Sequence, residues 1–502
     1  MLAGMTGLLE RKDSEYKYQD FFEQEEDFDV LFLGTSHVIN AVFPMDLWND
    51  YGIVSYNFGG HANTIPVSYW VMKNALDYTT PKLVVIDCMS QGIYKTYEDY
   101  EYLHLSFDAF PLSINKMKAA LDLNDDPEKE KAAAQGLISP AEKGTIEEIL
   151  WDFSIYHTRW NAVEEEDFSY GKNPEKGAES RINVTPCQKP EFLSTDLSTD
   201  VSMDVSMDVS MDTSAESETK DILSIEYLKK MIEECQSKNI QVLLIDIPYA
   251  DMDEDAVKLS DCVAGLAKEY DISYIRLLDE DIINFTTDCY EGEHLNPSGG
   301  RKITEFLGNY IVDHYDIPDQ RTNPAYEKWA DDYEQYIAFK NNLYSSETDL
   351  YKYLMLFAHD ACANGVVDVR DSAILKDPLI LELLKNAGVE ADQLGDDTDF
   401  IVIKNGGKET AVLNDFRESG KTEENAAGMV QIFYDTTGEY HDGQTGFFGL
   451  YVDGEEYLTG NENDGSSVVL AANRNGQEID RTEFYCEAGS DDSVNVTQVK
   501  KE

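Results

Sequence analysis

Three side chains far apart in this chain are of the types that together break or move an acyl bond: Ser36, His294 and Glu291. A serine hydroxyl becomes a nucleophile when a histidine takes its proton and an acid fixes that histidine's tautomer. Ser36 follows an apolar run at 30–33 and Gly34, which allows a sharp exit from a strand. His294 lies in Glu291-Gly-Glu-His-Leu-Asn-Pro-Ser298, just ahead of a helical stretch. Glu291 stands three residues before it, so one turn can present both side chains. Asp288 and Glu293 are nearby substitutes for the acid. The ordinary alternatives are a helix N-cap at Ser36 and a merely polar loop residue at His294.

For Ser36 and His294 to meet, both must leave the same edge of one sheet. Short apolar runs at 30–33, 54–60, 82–87, 241–247 and 273–277 read as strands. Helical stretches are expected at 69–76, 113–122, 145–160, 224–238, 255–269 and 299–314. This alternation is the pattern of a parallel sheet with crossover helices, whose chemistry sits in loops beyond the strands' C-terminal ends.

The expected organisation is a leader over 1–24, an α/β domain over 25–318, an acidic helical linker over 319–349, a C-terminal domain over 350–490 and a tail over 491–502. The first dozen residues read like the last turn of an apolar segment followed by a polar exit, so a membrane anchor is expected upstream. Residues 194–213 repeat Ser-x-Asp-x with period four. That repeat offers too little apolar surface to offset ordering entropy, and a disordered insert is expected over 190–221. Beyond 350 the chain is punctuated by Gly and Asp, with β patterns at 400–403, 429–433, 467–470 and 482–485 and a short helix at 379–388. This predicts an α+β domain with a mostly antiparallel sheet.

Of 502 residues, 98 are acidic and 40 basic, a formal charge of −58. Such an excess argues against nucleic acid and against adhesion to anionic lipid. No apolar run approaches the ~20 residues that a membrane helix needs. Seven cysteines without a CxxC pair suit neither a zinc site nor a disulfide framework, and Cys88 and Cys235 read as core thiols. Aspartates every four residues raise calcium-dependent adhesion as a minor reading, but the repeat lacks the glycines that turn calcium-binding repeats. No metal or other cofactor is expected.

Gly34-Thr-Ser-His37, Asn57-Phe-Gly-Gly-His-Ala-Asn63 and Glu291-Gly-Glu-His-Leu-Asn-Pro-Ser-Gly299 resemble the first, second and fifth blocks of the SGNH (GDSL-type) hydrolase superfamily. The resemblance covers about residues 25–315 apart from the insert and implies a three-layer α/β/α fold. It implies Ser36 as nucleophile and His294 as base, with Glu291 where the family usually carries Asp. The oxyanion donors it implies are the N–H groups of Ser36 and Ala62. The family's third-block Gly-x-Asn-Asp is absent, the strand ending Ile86-Asp-Cys-Met-Ser-Gln91, and Asn63 or Gln91 are the candidates to replace its asparagine. Losing one such donor costs ~10²–10³ in rate.

Within the superfamily the chain is similar to extracytoplasmic, membrane-anchored members of the D-alanyl-lipoteichoic acid biosynthesis and polysaccharide O-acetyltransferase types. Tyr156-His-Thr-Arg-Trp160 and Arg181-Ile-Asn183 carry that likeness. It implies a bacterial cell-surface enzyme acting on acyl groups of an envelope polysaccharide or teichoic-acid-like polymer, with His37 and Arg159 as candidate substrate-binding residues. Pairing of Arg159 with a carboxylate is the plainer alternative. Ser467-Val-Val-Leu470 and Gly476-Gln-Glu-Ile-Asp-Arg-Thr-Glu-Phe484 are similar to the interleukin-like EMT inducer domain, which implies a glycan-binding or targeting role. The competing expectation is a catalytically degenerate surface protein that binds glycans or a partner.

Overall fold

The computed structural model describes residues 18, 21–22, 24–89, 94–96, 101–137, 149–150, 160–161, 173–190, 214–360, 363–370, 372–394, 400–406, 409–414, 421–435, 446–461, 467–488 and 494–501. In chain order, β1 (Val30–Gly34) leads into α1 (Ser36–Ala41) and α2 (Pro44–Tyr51), and β2 (Ser55–Gly59) into α3 (Ile65–Ala75). Next come β3 (Leu83–Asp87), α4 (Glu101–Phe107), α5 (Ile114–Asn124), α6 (Pro127–Ala134) and α7 (Ser214–Ser237). They are followed by β4 (Gln241–Asp246), α8 (Glu254–Tyr270) and β5 (Ser273–Arg276). A small hairpin, β6 (Cys289–Glu291) and β7 (His294–Leu295), precedes α9 (Pro297–His314).

β1 to β5 form one parallel sheet in the order β2-β1-β3-β4-β5. The pleat sends alternate residues to opposite faces. Leu31, Leu33, Val84 and Ile86 join one core with α3, α5, α7 and α8. Val30, Phe32, Leu83 and Val85 join the other core with α1, α2 and α9. Strands covered on both faces must be apolar throughout, which is why β1 and β3 lack a polar alternation. Fully burying each such aliphatic side chain contributes roughly 1.5–3 kcal/mol. The sequence order reverses between β1 and β3, the switch point at which open α/β sheets leave a crevice.

The expected α/β sheet is present, with two shifts in helix bounds. α3 begins at Ile65, because Thr64 caps it and Pro66 suits a first turn. α7 starts at Ser214, ten residues before the expected 224. Residues 191–213, with most of the expected insert, and most of the helical stretch expected at 145–160 lie outside the described residues.

The rest of the chain contains α10 (Glu327–Ser346), α11 (Leu350–His359), β8 (Asn364–Val369), α12 (Pro378–Asn386), β9 (Phe400–Asn405) and β10 (Ala411–Asn414). There follow β11 (Thr422–Asn425), β12 (Gly428–Asp435), β13 (Phe447–Val452), β14 (Glu455–Asn461), β15 (Val468–Arg474), β16 (Gln477–Ala488) and β17 (Val494–Lys501). They build two antiparallel sheets, β10-β9-β8-β15-β16-β17 and β11-β12-β13-β14. One face of the larger sheet meets the smaller sheet through Ile401, Ile403, Val469, Ile432 and Leu450, and its other face is covered by α11 and α12. This is the expected α+β arrangement with antiparallel pairing.

Buried charges tie the two parts together. Lys340 on α10 lies 3.5 Å from Asp46 on α2 and 3.6 Å from Asp360, which also pairs with Arg474 on β15. Burial acts to raise the Asp360 pKa, but Lys340 and Arg474 overcome it and hold the carboxyl well below its usual range. Removing one partner from such a cluster strands the others and costs about 3–5 kcal/mol.

Candidate active site

Ser36 is the first residue of α1, and Thr35 caps the helix by accepting the His37 N–H at 3.1 Å. β1 can turn this sharply because Gly34 has no side chain. A Cβ there would lie 2.6 Å from Val38 Cγ2 and 2.8 Å from Asp87 Cβ. The hairpin β6–β7 comes to the same sheet edge from the far end of the domain and pairs Glu291 directly with His294. A Cβ on Gly292 would lie 2.0 Å from the Asp251 carboxylate, whose side chain would have to swing away. The Asp251 N–H donates to the Gly292 carbonyl at 2.9 Å and so anchors the hairpin to the loop after β4.

Ser36 Oγ lies 2.7 Å from His294 Nε2, across 258 residues of sequence. His294 Nδ1 hydrogen-bonds Glu291 Oε1, and Glu291 Oε2 accepts the Glu293 N–H at 3.2 Å. The two substitute acids lie elsewhere. Asp288 is fully buried and bound by Ser298, Lys302 and Asn386, while Glu293 lines the cleft. The arrangement is a hydroxyl–imidazole–carboxylate relay, with His294 in the tautomer that leaves Nε2 free to accept a proton.

The relay opens into a cleft of about 430 Å³ lined by Ser36, His61, Ala62, Tyr102, Arg181 and Tyr249 among others. The second-block loop closes one side. Gly60 N–H donates to the Gly34 carbonyl at 3.1 Å, and Ala62 adopts a left-handed φ of 51°. Among the described residues the N–H groups of Ser36 and Ala62 donate no hydrogen bond, and both residues line the cleft. Asn63 also lines the cleft, but it is nearly buried. Its N–H closes the turn onto Gly60 and its Oδ1 accepts from Ser106 at 2.6 Å. Gln91 and Arg159 lie outside the described residues.

Among the described residues Arg181, on the segment 173–190, lines the cleft. Its guanidinium lies 3.5 Å from Glu179 and 3.4 Å from His61 Nδ1. That segment is zipped to α1 by Asn40 donating to the Glu179 carbonyl and by Glu179 N–H donating to the Ile39 carbonyl. Arg181-Ile-Asn183 and, for His61, the block Asn57-Phe-Gly-Gly-His-Ala-Asn63 were the available sequence signals; Tyr102, Tyr249 and Asp253 carried none.

His37 lines the cleft beside the relay and packs against it. Its ring stacks on Tyr249 at 4.6 Å and meets His294 edge-on at 5.8 Å, with 12% of the side chain exposed. Its Nδ1 lies 4.0 Å from Asp87 Oδ2, at the end of β3. Burial and the neighbouring His294 push the His37 pKa down to about 3. Burial and the Asp246 carboxylate push Asp87 up to about 8, against backbone N–H donors from Ile247 and Met89. At neutral pH this pair is held as a neutral imidazole beside a mostly protonated acid.

Glu291, Glu293 and His294 lie close enough together to share a cation. Both ring nitrogens of His294 are already engaged, by Ser36 and by Glu291, so a metal would have to displace one of them.

No protein-family model and no curated protein matches the chain. Among solved structures it is similar to a protein from Bacteroides fragilis described as a "putative acylhydrolase", at 11% identity. That match covers 61% of this chain and 99% of the other, with a TM-score of 0.29. It is also similar to a GDSL-like lipase from Bacteroides thetaiotaomicron, at 10% identity over 60% of this chain and 98% of the other, with a TM-score of 0.29.

Proposed function

We propose that this chain is a serine-dependent esterase or O-acyltransferase of the SGNH type. The observation that carries the reading is the relay from Ser36 through His294 to Glu291. Ser36 Oγ attacks the acyl carbonyl as its proton passes to His294 Nε2. The N–H groups of Ser36 and Ala62 receive the oxyanion. Glu291 holds Nδ1–H and stabilises the imidazolium, which then gives its proton to the departing alkoxide. Water or a sugar hydroxyl, deprotonated in turn by His294, releases the acyl group from Ser36.

The proposed substrate is an acylated envelope polysaccharide or teichoic-acid-like polymer at a bacterial cell surface, with the C-terminal sheets as a glycan-binding part. The motif resemblance supports this. No helix among the described residues is long and apolar enough to cross a membrane. The competing reading, a catalytically silent glycan- or partner-binding protein, keeps the missing Gly-x-Asn-Asp as its support. Turnover of p-nitrophenyl acetate separates them. The esterase reading expects wild-type hydrolysis that Ser36→Ala reduces by at least ~10³, and equal rates for the two proteins would sink it.

A further inference from the structure

A second imidazole–carboxyl pair lies beside the relay. His37 follows the nucleophile on α1, and its Nδ1 lies 4.0 Å from Oδ2 of Asp87, the last residue of β3. Among the described residues neither atom has a hydrogen-bond partner, and both are buried. Buried polar atoms without partners are rare, so two of them side by side call for a physical reason. The other Asp87 oxygen accepts the Ile247 N–H at 3.2 Å, which fixes the carboxyl at the start of the loop after β4. That loop also carries Tyr249, whose ring stacks on His37 at 4.6 Å, and Asp251, whose N–H anchors the hairpin of Glu291 and His294. The His37 ring in turn meets the His294 ring edge-on at 5.8 Å. The loop after β4 thus joins Asp87, His37 and the base of the relay into one packed unit.

We propose that His37 is a positioning residue of the relay: the Asp87 carboxyl O–H donates to His37 Nδ1, and the ring so fixed keeps the His294 imidazole aimed at Ser36. Closing the gap to hydrogen-bond length takes a movement of about 1 Å. The bond satisfies both orphaned atoms and sets the His37 tautomer, with its proton on Nε2. The charge states agree with it, since burial leaves Asp87 mostly protonated and His37 neutral at pH 7. An acid that keeps its proton is a donor, and a neutral imidazole offers the acceptor. A catalytic ring displaced by about 1 Å costs up to ~10² in rate, which is the scale on which such a buttress acts. The inference rests on the esterase reading and adds to it a role for His37 other than contact with substrate.

The test uses the full chain at pH 7 as wild type, His37→Phe, Asp87→Leu and Asp87→Asn. Fluorophosphonate labelling rates are measured beside kcat and KM for p-nitrophenyl acetate. His37→Phe keeps a ring against Tyr249 but loses Nδ1, and Asp87→Leu keeps the volume but loses the donor. In both, the labelling rate and kcat are expected to fall at least about tenfold, with KM within about threefold. Asp87→Asn, whose amide N–H reaches the same nitrogen, is expected to restore most of what Asp87→Leu loses. Nitrogen-15 NMR of histidine-labelled wild type reads the bond without turnover, His37→Phe identifying the signal. A neutral His37 with a hydrogen-bonded Nδ1 acceptor is expected, the acceptor shift vanishing in Asp87→Leu. A proton on His37 Nδ1 would overturn the proposal, as would a raised KM at unchanged kcat in His37→Phe, the mark of a substrate contact. Wild-type labelling that His37→Phe matches would overturn it and leave the relay standing. A folded wild type that takes no label would remove the relay and this role together.

Discussion

The side-chain amide of Asn386, the last residue of α12, donates to Asp288 Oδ1 at 3.0 Å, three residues before Glu291. The same nitrogen donates to Ser298 Oγ at 2.7 Å, while Lys302 pairs with the other Asp288 oxygen at 2.7 Å. The Asp288 carbonyl in turn accepts the N–H of Asn296, the residue that caps α9 just after His294. A helix packed on the C-terminal sheets thereby braces the turn that carries the acid and base of the relay. Asn386→Ala leaves buried Asp288 and Ser298 short of a donor, worth roughly 1–3 kcal/mol. A thermal midpoint lowered by a few degrees is expected, with faster amide exchange across residues 288–296 and a kcat reduced severalfold.

Glu291, not its acidic neighbours, holds His294. Glu291→Gln keeps the shape but offers an amide where a carboxylate should stabilise the imidazolium. A kcat loss of about 10²–10⁴ is expected, against an effect at least tenfold smaller for Glu293→Gln. Steady-state kinetics on the two variants decides it, and equal losses would place the acid elsewhere.

The buried Asp87 makes stability depend on pH in a stated direction. Its folded pKa of about 8 exceeds the unfolded value of 3.8, so between them the native state holds a proton that the unfolded state lacks. The stability this contributes is complete below the unfolded value and is lost as pH rises through about 8. Asp87→Asn removes the term. Its stability relative to wild type is expected to rise by about 1.4 kcal/mol per pH unit between pH 5 and 7. Urea unfolding at each pH measures this, and a pH-independent difference would contradict it.

Ala62 holds a left-handed backbone that an L side chain adopts at a cost of about 1 kcal/mol. Ala62→Gly relieves that strain and retains the N–H. Stability up by as much as about 1 kcal/mol and kcat/KM within about twofold are expected, whereas the β-branched Ala62→Val should lower both.

The sheet was legible in the sequence because a strand buried on both faces must be apolar along its length. β1, β3 and β4 show little else, and Gly34 and Gly292 mark where the backbone has to turn against a neighbour. The pairing of Glu291 with His294 was legible for the same local reason, the two lying across one short hairpin. What escaped depends on segments distant in sequence. Arg181 reaches the cleft because hydrogen bonds zip 173–190 onto α1. His37 is packed by Tyr249 from the loop after β4 and lies near Asp87 at the end of β3, and no property of Gly34-Thr-Ser-His37 announces either. Asn386 braces the turn from a helix that sequence alone assigns to a separate unit.

Activation of Ser36 as a nucleophile is read by treating the full chain with a fluorophosphonate probe, beside Ser36→Ala and His294→Ala, and mapping the labelled residue by mass spectrometry. Stoichiometric label on Ser36, absent from both variants, is the predicted result. A folded wild-type protein that takes no label, or takes it equally in Ser36→Ala, would contradict the account.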